Sequence, residues 1–170
     1  MEFNCSICGK YTDEMPTCFG GDAPWQEMGV PADQFDDRVE LNDDLCVVDQ
    51  TTFFIRGHIE LPIVGTGRSF AWSVWCSLSA ESFIDANKNW NDANRVGMEY
   101  FGWLCTSLPS YDATTLHLKT DVLMRNVGTV PHIVVHEDDH PIYVEQNEGI
   151  SPGRYHEIVH ELLHTDGQPN

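Results

Sequence analysis

Two β-prone runs joined by a short glycine-containing turn fill the middle of the chain and constrain what it can become. Residues 51–63 are rich in β-branched and aromatic side chains, with Pro62 near the end, where a strand tolerates a missing donor. Residues 70–78 place Phe70, Trp72, Val74, Cys76 and Leu78 on one face at period two. The other face carries Trp75 among small residues, so both faces are expected to be partly covered. Val64-Gly65-Thr66-Gly67 reads as a turn, and the pair predicts a β-hairpin.

The flanking segments extend the pattern. Ser79 is an N-cap candidate, with Ser82 at N3, for a helix running to about Trp90. Residues 99–107, 114–124 and 131–136 read as strands. In the second of these, His117, Lys119 and Asp121 alternate with Leu116, Leu118, Thr120 and Val122, as a half-exposed strand requires. Ser151-Pro152 suits the opening turn of a C-terminal helix over residues 150–166, and Gly167 its stop. Residues 1–35 are rich in Gly, Pro and Cys and read as a loop-rich N-terminal lobe. Consecutive strands with two main helices predict an α+β fold with a mostly antiparallel sheet. The length of 170 residues suits a single domain, 1–170, with the lobe packed on the core.

Charge narrows the function. Asp and Glu number 27 against 9 Lys and Arg, a formal net charge of −18. With no basic run, nucleic acid and anionic membranes are poor partners. A composition 41% hydrophobic and 11% aromatic excludes a disordered acidic tail. Much of the acid lies in 33–49, read as a solvated face. The charge instead favours a basic protein partner, such as a toxin neutralised by an acidic inhibitor or immunity-type protein. The first residues lack the basic and apolar regions of a signal peptide, and no run reaches the ~20 apolar residues of a membrane span. The expected location is the cytoplasm.

In a reducing compartment the six cysteines are not read as a disulfide framework. Cys5-Ser6-Ile7-Cys8-Gly9-Lys10 has the form of a zinc knuckle, in which two thiolates spaced by two residues face one ion from a tight turn. Structural zinc, unligated thiols and a redox pair all fit this spacing. The remaining ligand candidates are Cys18, Cys46 and the histidines, while Cys76 and Cys105 read as core residues. Residues 156–164 contain H-E-x-x-H twice, overlapping at His160. On a helical wheel the three histidines fall at roughly 0°, 40° and 80°, and Ile158, Val159, Leu162 and Leu163 at roughly 200–340°. The histidines are thus expected on the flank and toward solvent, and only six residues follow His164. That disfavours a metallohydrolase built on His156, Glu157 and His160, and no catalytic residue is nominated. His136-Glu137-Asp138-Asp139-His140-Pro141 lacks the ladder of an EF-hand and reads as a turn between strands.

The motifs Cys5-x-x-Cys8-Gly9-Lys10, Asp44-Leu45-Cys46-Val47-Val48-Asp49, Phe53-Phe54-Ile55-Arg56-Gly57 and Leu61-Pro62 occur in one order with several others. These are Trp72-Ser73-Val74-Trp75-Cys76-Ser77-Leu78-Ser79, Tyr100-Phe101-Gly102-Trp103-Leu104, Asp139-His140-Pro141-Ile142 and Gly149-Ile150-Ser151. Together, over roughly residues 3–163, they resemble the bacterial family catalogued as domain of unknown function 2199. The resemblance implies a bacterial, cytoplasmic protein with no assigned reaction, and it favours Cys46, which lies on a family motif, as a third ligand. In the family pattern a His follows the knuckle as C-G-K-x-H, and here that position is Thr12. The chain is therefore expected to be a non-catalytic binding domain with a structural zinc site drawn from Cys5, Cys8, Cys46 and Cys18.

Overall fold

The computed structural model describes residues 3–12, 14–136 and 139–164. The expected hairpin forms as β6 (Thr52–Ile63) and β7 (Arg68–Leu78), antiparallel and in continuous register from Phe53↔Leu78 to Ile63↔Arg68. Its turn is closed by the Thr66 hydroxyl donating to the Ile63 carbonyl at 2.8 Å. One face buries Ile55, Ile59, Leu61, Phe70, Trp72, Val74 and Cys76. The other buries Phe54 and Trp75 in a second cluster with Cys46, Val48 and Val39. Both faces are covered, as the position of Trp75 required.

The hairpin is the centre of a closed barrel. β8 (Glu99–Leu104) pairs with the end of β7, β9 (Lys119–Leu123) with β8, and β10 (His132–Val135) with β9, all antiparallel. β10 then returns to β6 in parallel, His132 opposite His58, and the ring of five strands is complete. Short strands extend the edges. β5 (Leu45–Val48) adds antiparallel to β6 and β4 (Val39–Leu41) antiparallel to β5, and β3 (Cys18–Gly20) adds parallel to β7. The α+β class stands. The sheet differs from the expected one in closing on itself and in carrying two parallel pairings, because β10 and β3 arrive by long connections that allow either direction.

Among the described residues four helices form, where two main ones were expected. α1 (Phe35–Arg38) is a single turn, and α2 (Ala80–Lys88) is the helix expected after Ser79, whose hydroxyl accepts from the Ser82 amide at 3.1 Å. α3 (Pro141–Glu148) replaces the turn expected after His136. His140 caps it, accepting from the Ile142 amide at 3.1 Å, and Pro141 occupies the first turn, a start signal read instead as a turn. Gln146 of α3 bonds both Val135 N–H and the Ile133 carbonyl, satisfying the open edge of β10. α4 (Pro152–His164) is the expected C-terminal helix, with Ser151 accepting from the Arg154 amide. Glu137, Asp138 and Gly167 lie outside the described residues.

α4 buries Tyr155, Ile158 and Val159 in the main core, each worth ~1.5–3 kcal/mol. Arg154 links it to α3 through Glu145 at 2.8 Å, and Glu145 also accepts from the Tyr111 hydroxyl at 2.6 Å. Buried Arg95 holds the β9–β10 connection by donating to the carbonyls of Trp90, Arg125, Asn126 and Thr129.

The barrel seam is tightest at Gly57. A β-carbon there would lie 2.5 Å from Ile133 Cδ1 and 2.8 Å from the Pro131 carbonyl oxygen. Overpacking of this kind costs ~1–3 kcal/mol. Gly57→Ala should therefore lower the urea midpoint without changing the slope; an unchanged midpoint would show that the seam is looser than described.

Candidate metal centre

The N-terminal lobe begins with a small hairpin, β1 (Phe3–Asn4) against β2 (Tyr11–Thr12). Between them the knuckle folds back on itself. Cys5 N–H donates to the Lys10 carbonyl at 2.9 Å and Gly9 N–H to the Cys5 carbonyl at 2.8 Å. Gly9 sits at φ 72°, which a glycine adopts without strain. Cys5 is buried, 2% exposed, and Cys8 is exposed.

α4 lies against this turn. The Tyr155 hydroxyl donates to the Pro16 carbonyl at 2.7 Å, Ser6 Oγ lies 2.7 Å from His156 Nδ1, and Cys5 Sγ lies 3.5 Å from His160 Nδ1. The ligand atoms of Cys5, Cys8 and His160 all fall within 4.8 Å of one another, and among the described residues they are the group of three able to hold a metal ion. The separation has a chemical meaning. Zinc bonds of ~2.3 Å to sulfur and ~2.0–2.1 Å to nitrogen, at a tetrahedral angle, set an S···N edge near ~3.6 Å. The Cys5–His160 distance matches that edge.

The wheel placed Ile158 and Val159 on the core side, where they are found. It also turned the histidines to the flank and solvent, and there the structure differs: His156 and His160 are half-buried and face the knuckle. The wheel gives directions around one helix and cannot show which loop covers its flank. Exposed Glu157 lies 3.6 Å from Arg154 of its own helix.

Two of the four ligand candidates stand elsewhere. Cys46 on β5 is fully buried with Phe54 and Trp75, and burial pushes its thiol up to about 11. Cys18 on β3 is exposed, with Sγ 3.8 Å from His58 Nε2. Cys5 and Cys8 are brought together, and His160, one of the histidines held open as a further ligand, joins them. The signal for it was the recurrence of histidine at i and i+4 on a helix.

A family model described as an uncharacterized protein conserved in bacteria matches residues 4–150. The chain belongs to that family, domain of unknown function 2199. No curated protein and no solved structure matches it. The matched segment of this DUF2199 chain includes the knuckle, and His160 lies beyond its end.

Thiol chemistry separates the cysteines. Burial pushes Cys76 to about 12 and Cys46 to about 11, so both stay protonated and covered at pH 8. In metal-stripped native protein, iodoacetamide should label exposed Cys8 and Cys18 on the order of tenfold or more faster than Cys46 and Cys76, as peptide mass mapping reads. Equal rates would contradict the burial described.

Proposed function

We propose that this DUF2199 chain is a non-catalytic binding domain whose N-terminal lobe is fastened to its C-terminal helix by a structural zinc ion. The observation that carries the reading is the meeting of Cys5 and Cys8 with His160 across almost the whole sequence. The lobe needs such a fastening. β1 and β2 are two residues each, and an isolated hairpin of that size is marginal in water. Zinc suits two thiolates and an imidazole in tetrahedral geometry.

A structural site takes four ligands, and Cys5, Cys8 and His160 supply three of them. A closed four-ligand site leaves no position for a reacting water, which is why the reading is non-catalytic.

The partner follows from charge. With a net −18 and exposed Asp33, Asp36, Asp37 and Glu40 beside β4, a basic protein is the complement, and the cytoplasm the expected place for reduced thiolates. An inhibitor or immunity role toward a basic toxin is a special case of that reading.

Protein purified without an affinity tag should carry a zinc ion that Cys8→Ala or His160→Ala releases to a mild chelator. Zinc at ~1,000-fold over its Kd contributes about 4 kcal/mol. At ~2–4 °C per kcal/mol for a chain of this size, stripping it should lower Tm by on the order of 10 °C. A metal-free protein with an unchanged Tm on zinc addition would overturn the reading.

A further inference from the structure

We propose that the groove between α2 and the β4–β5 edge of the sheet docks an extended segment of a basic protein partner, in which Lys or Arg alternates with apolar side chains. This rests on the reading of a basic partner given above and adds the place and the form in which that partner binds.

The sheet register builds the floor. Glu40 of β4 lies opposite Val47 of β5, and Val47 opposite Phe53 of β6, so the three share one face. α2 covers part of that row through Phe83, whose ring lies 5.0 Å from that of Phe53. Beyond it Val47 stays half-buried and Glu40 exposed. A hollow of about 510 Å³ opens there, with Val47, Phe53, Phe83 and Ile84 on its walls. A second, of about 260 Å³, adjoins it through Glu40, Val47, Phe83 and Asn87, which line both, and runs on to Leu41. Ile84 is 63% exposed and Leu41 43%, one on each hollow. Large apolar side chains left uncovered along one groove mark a surface that is covered by a partner.

Charge selects the occupant. Glu81, one turn before Ile84 on α2, and Asp85, next to it, line the far side of Ile84. Asp36 and Asp37 line a hollow that shares Glu40 and Val47 with the groove. Asp36, Asp37, Glu40 and Glu81 have no ion-pair partner among the described residues. Against them stand Lys88 and Arg38, and Arg38 is already paired with Asp49 at 2.7 Å. An apolar floor with a rim of unpaired carboxylates suits a segment that seats apolar side chains on Val47, Phe53 and Ile84 while its Lys and Arg reach the rim.

The open edge of the sheet sets the form. β4 ends the strand order, with no partner strand on its outer edge among the described residues. The Asp49 amide donates to the Arg38 carbonyl and the Asn42 amide to the Leu45 carbonyl. Arg38, Glu40 and Asn42 therefore bond toward β5, and the Leu41 amide and carbonyl point outward. An extended segment laid along that edge continues the ladder and turns every second side chain to the face that carries Glu40.

Fluorescence anisotropy of a labelled peptide of alternating Arg and Leu, titrated with the full chain as purified, tests this against an Arg–Ser peptide of equal charge. The Arg–Leu peptide should bind on the order of tenfold more tightly. Ile84→Glu should weaken its binding by on the order of tenfold, although the variant makes the groove more acidic. The Glu40→Lys/Glu81→Lys double variant should weaken it as well, and Asp112→Lys, exposed and outside the groove, should leave it within about twofold. All three variants should keep the circular dichroism spectrum of the parent. Equal binding of the two peptides, or Arg–Leu binding that Ile84→Glu leaves intact, would overturn the groove and leave a basic partner in place. If neither peptide binds, the basic partner falls and the groove with it.

Discussion

The β6–β7 ladder sets the position of everything else in this molecule. Its inner face supplies the apolar floor of the main core and its outer face carries Phe54 and Trp75 into the second. Each of its edges is then used in halves: β7 takes β3 along one part and β8 along another, and β6 takes β5 and then β10. A hairpin this long has to be covered on both faces or it would be a large exposed apolar surface. Closing the ring through β8, β9 and β10 covers one face, and β4, β5 and the loop around Trp25 and Val30 cover the other.

That arrangement also decides where chemistry can occur. The main core is packed with buried side chains such as Ile59, Trp72 and Ile133. Reactive side chains are left on the outside, where connections from distant parts of the sequence cross. α4 packs Tyr155, Ile158 and Val159 onto the core, and its other flank comes under the Cys5–Lys10 turn. β3 reaches β7 from the lobe and brings Cys18 to His58. In both places a thiol from the N-terminal lobe meets an imidazole from the body of the fold.

Much of the fold was legible because it rests on local periodicity. The alternation through residues 70–78 named the inward side chains, and Ser79 and Ser151 marked two helix starts. α3 was missed because Asp139 and Pro141 suit a turn as well as a helix start, and what selects the helix is Gln146 bonding the edge of β10, a tertiary event. The barrel closure was missed for the same reason: nothing local in His132–Val135 states that its second neighbour is β6. For the site, Cys5 and Cys8 were legible as a pair from their spacing. His160 was visible as a histidine on an amphipathic helix, but its meeting with the knuckle is a long-range contact that no motif of this length encodes. Cys46 was favoured by its place on a family motif, and burial between Phe54 and Trp75 explains that place as packing.

The proposed metal ion would join the N-terminal knuckle to α4. An anomalous difference map at the zinc absorption edge, from crystals of untagged native protein, tests that claim most directly. A peak bonded to Cys5 Sγ and Cys8 Sγ at ~2.3 Å and to His160 Nδ1 at ~2.0–2.1 Å is expected. The knuckle seated on α4 with no peak among these three residues would contradict it.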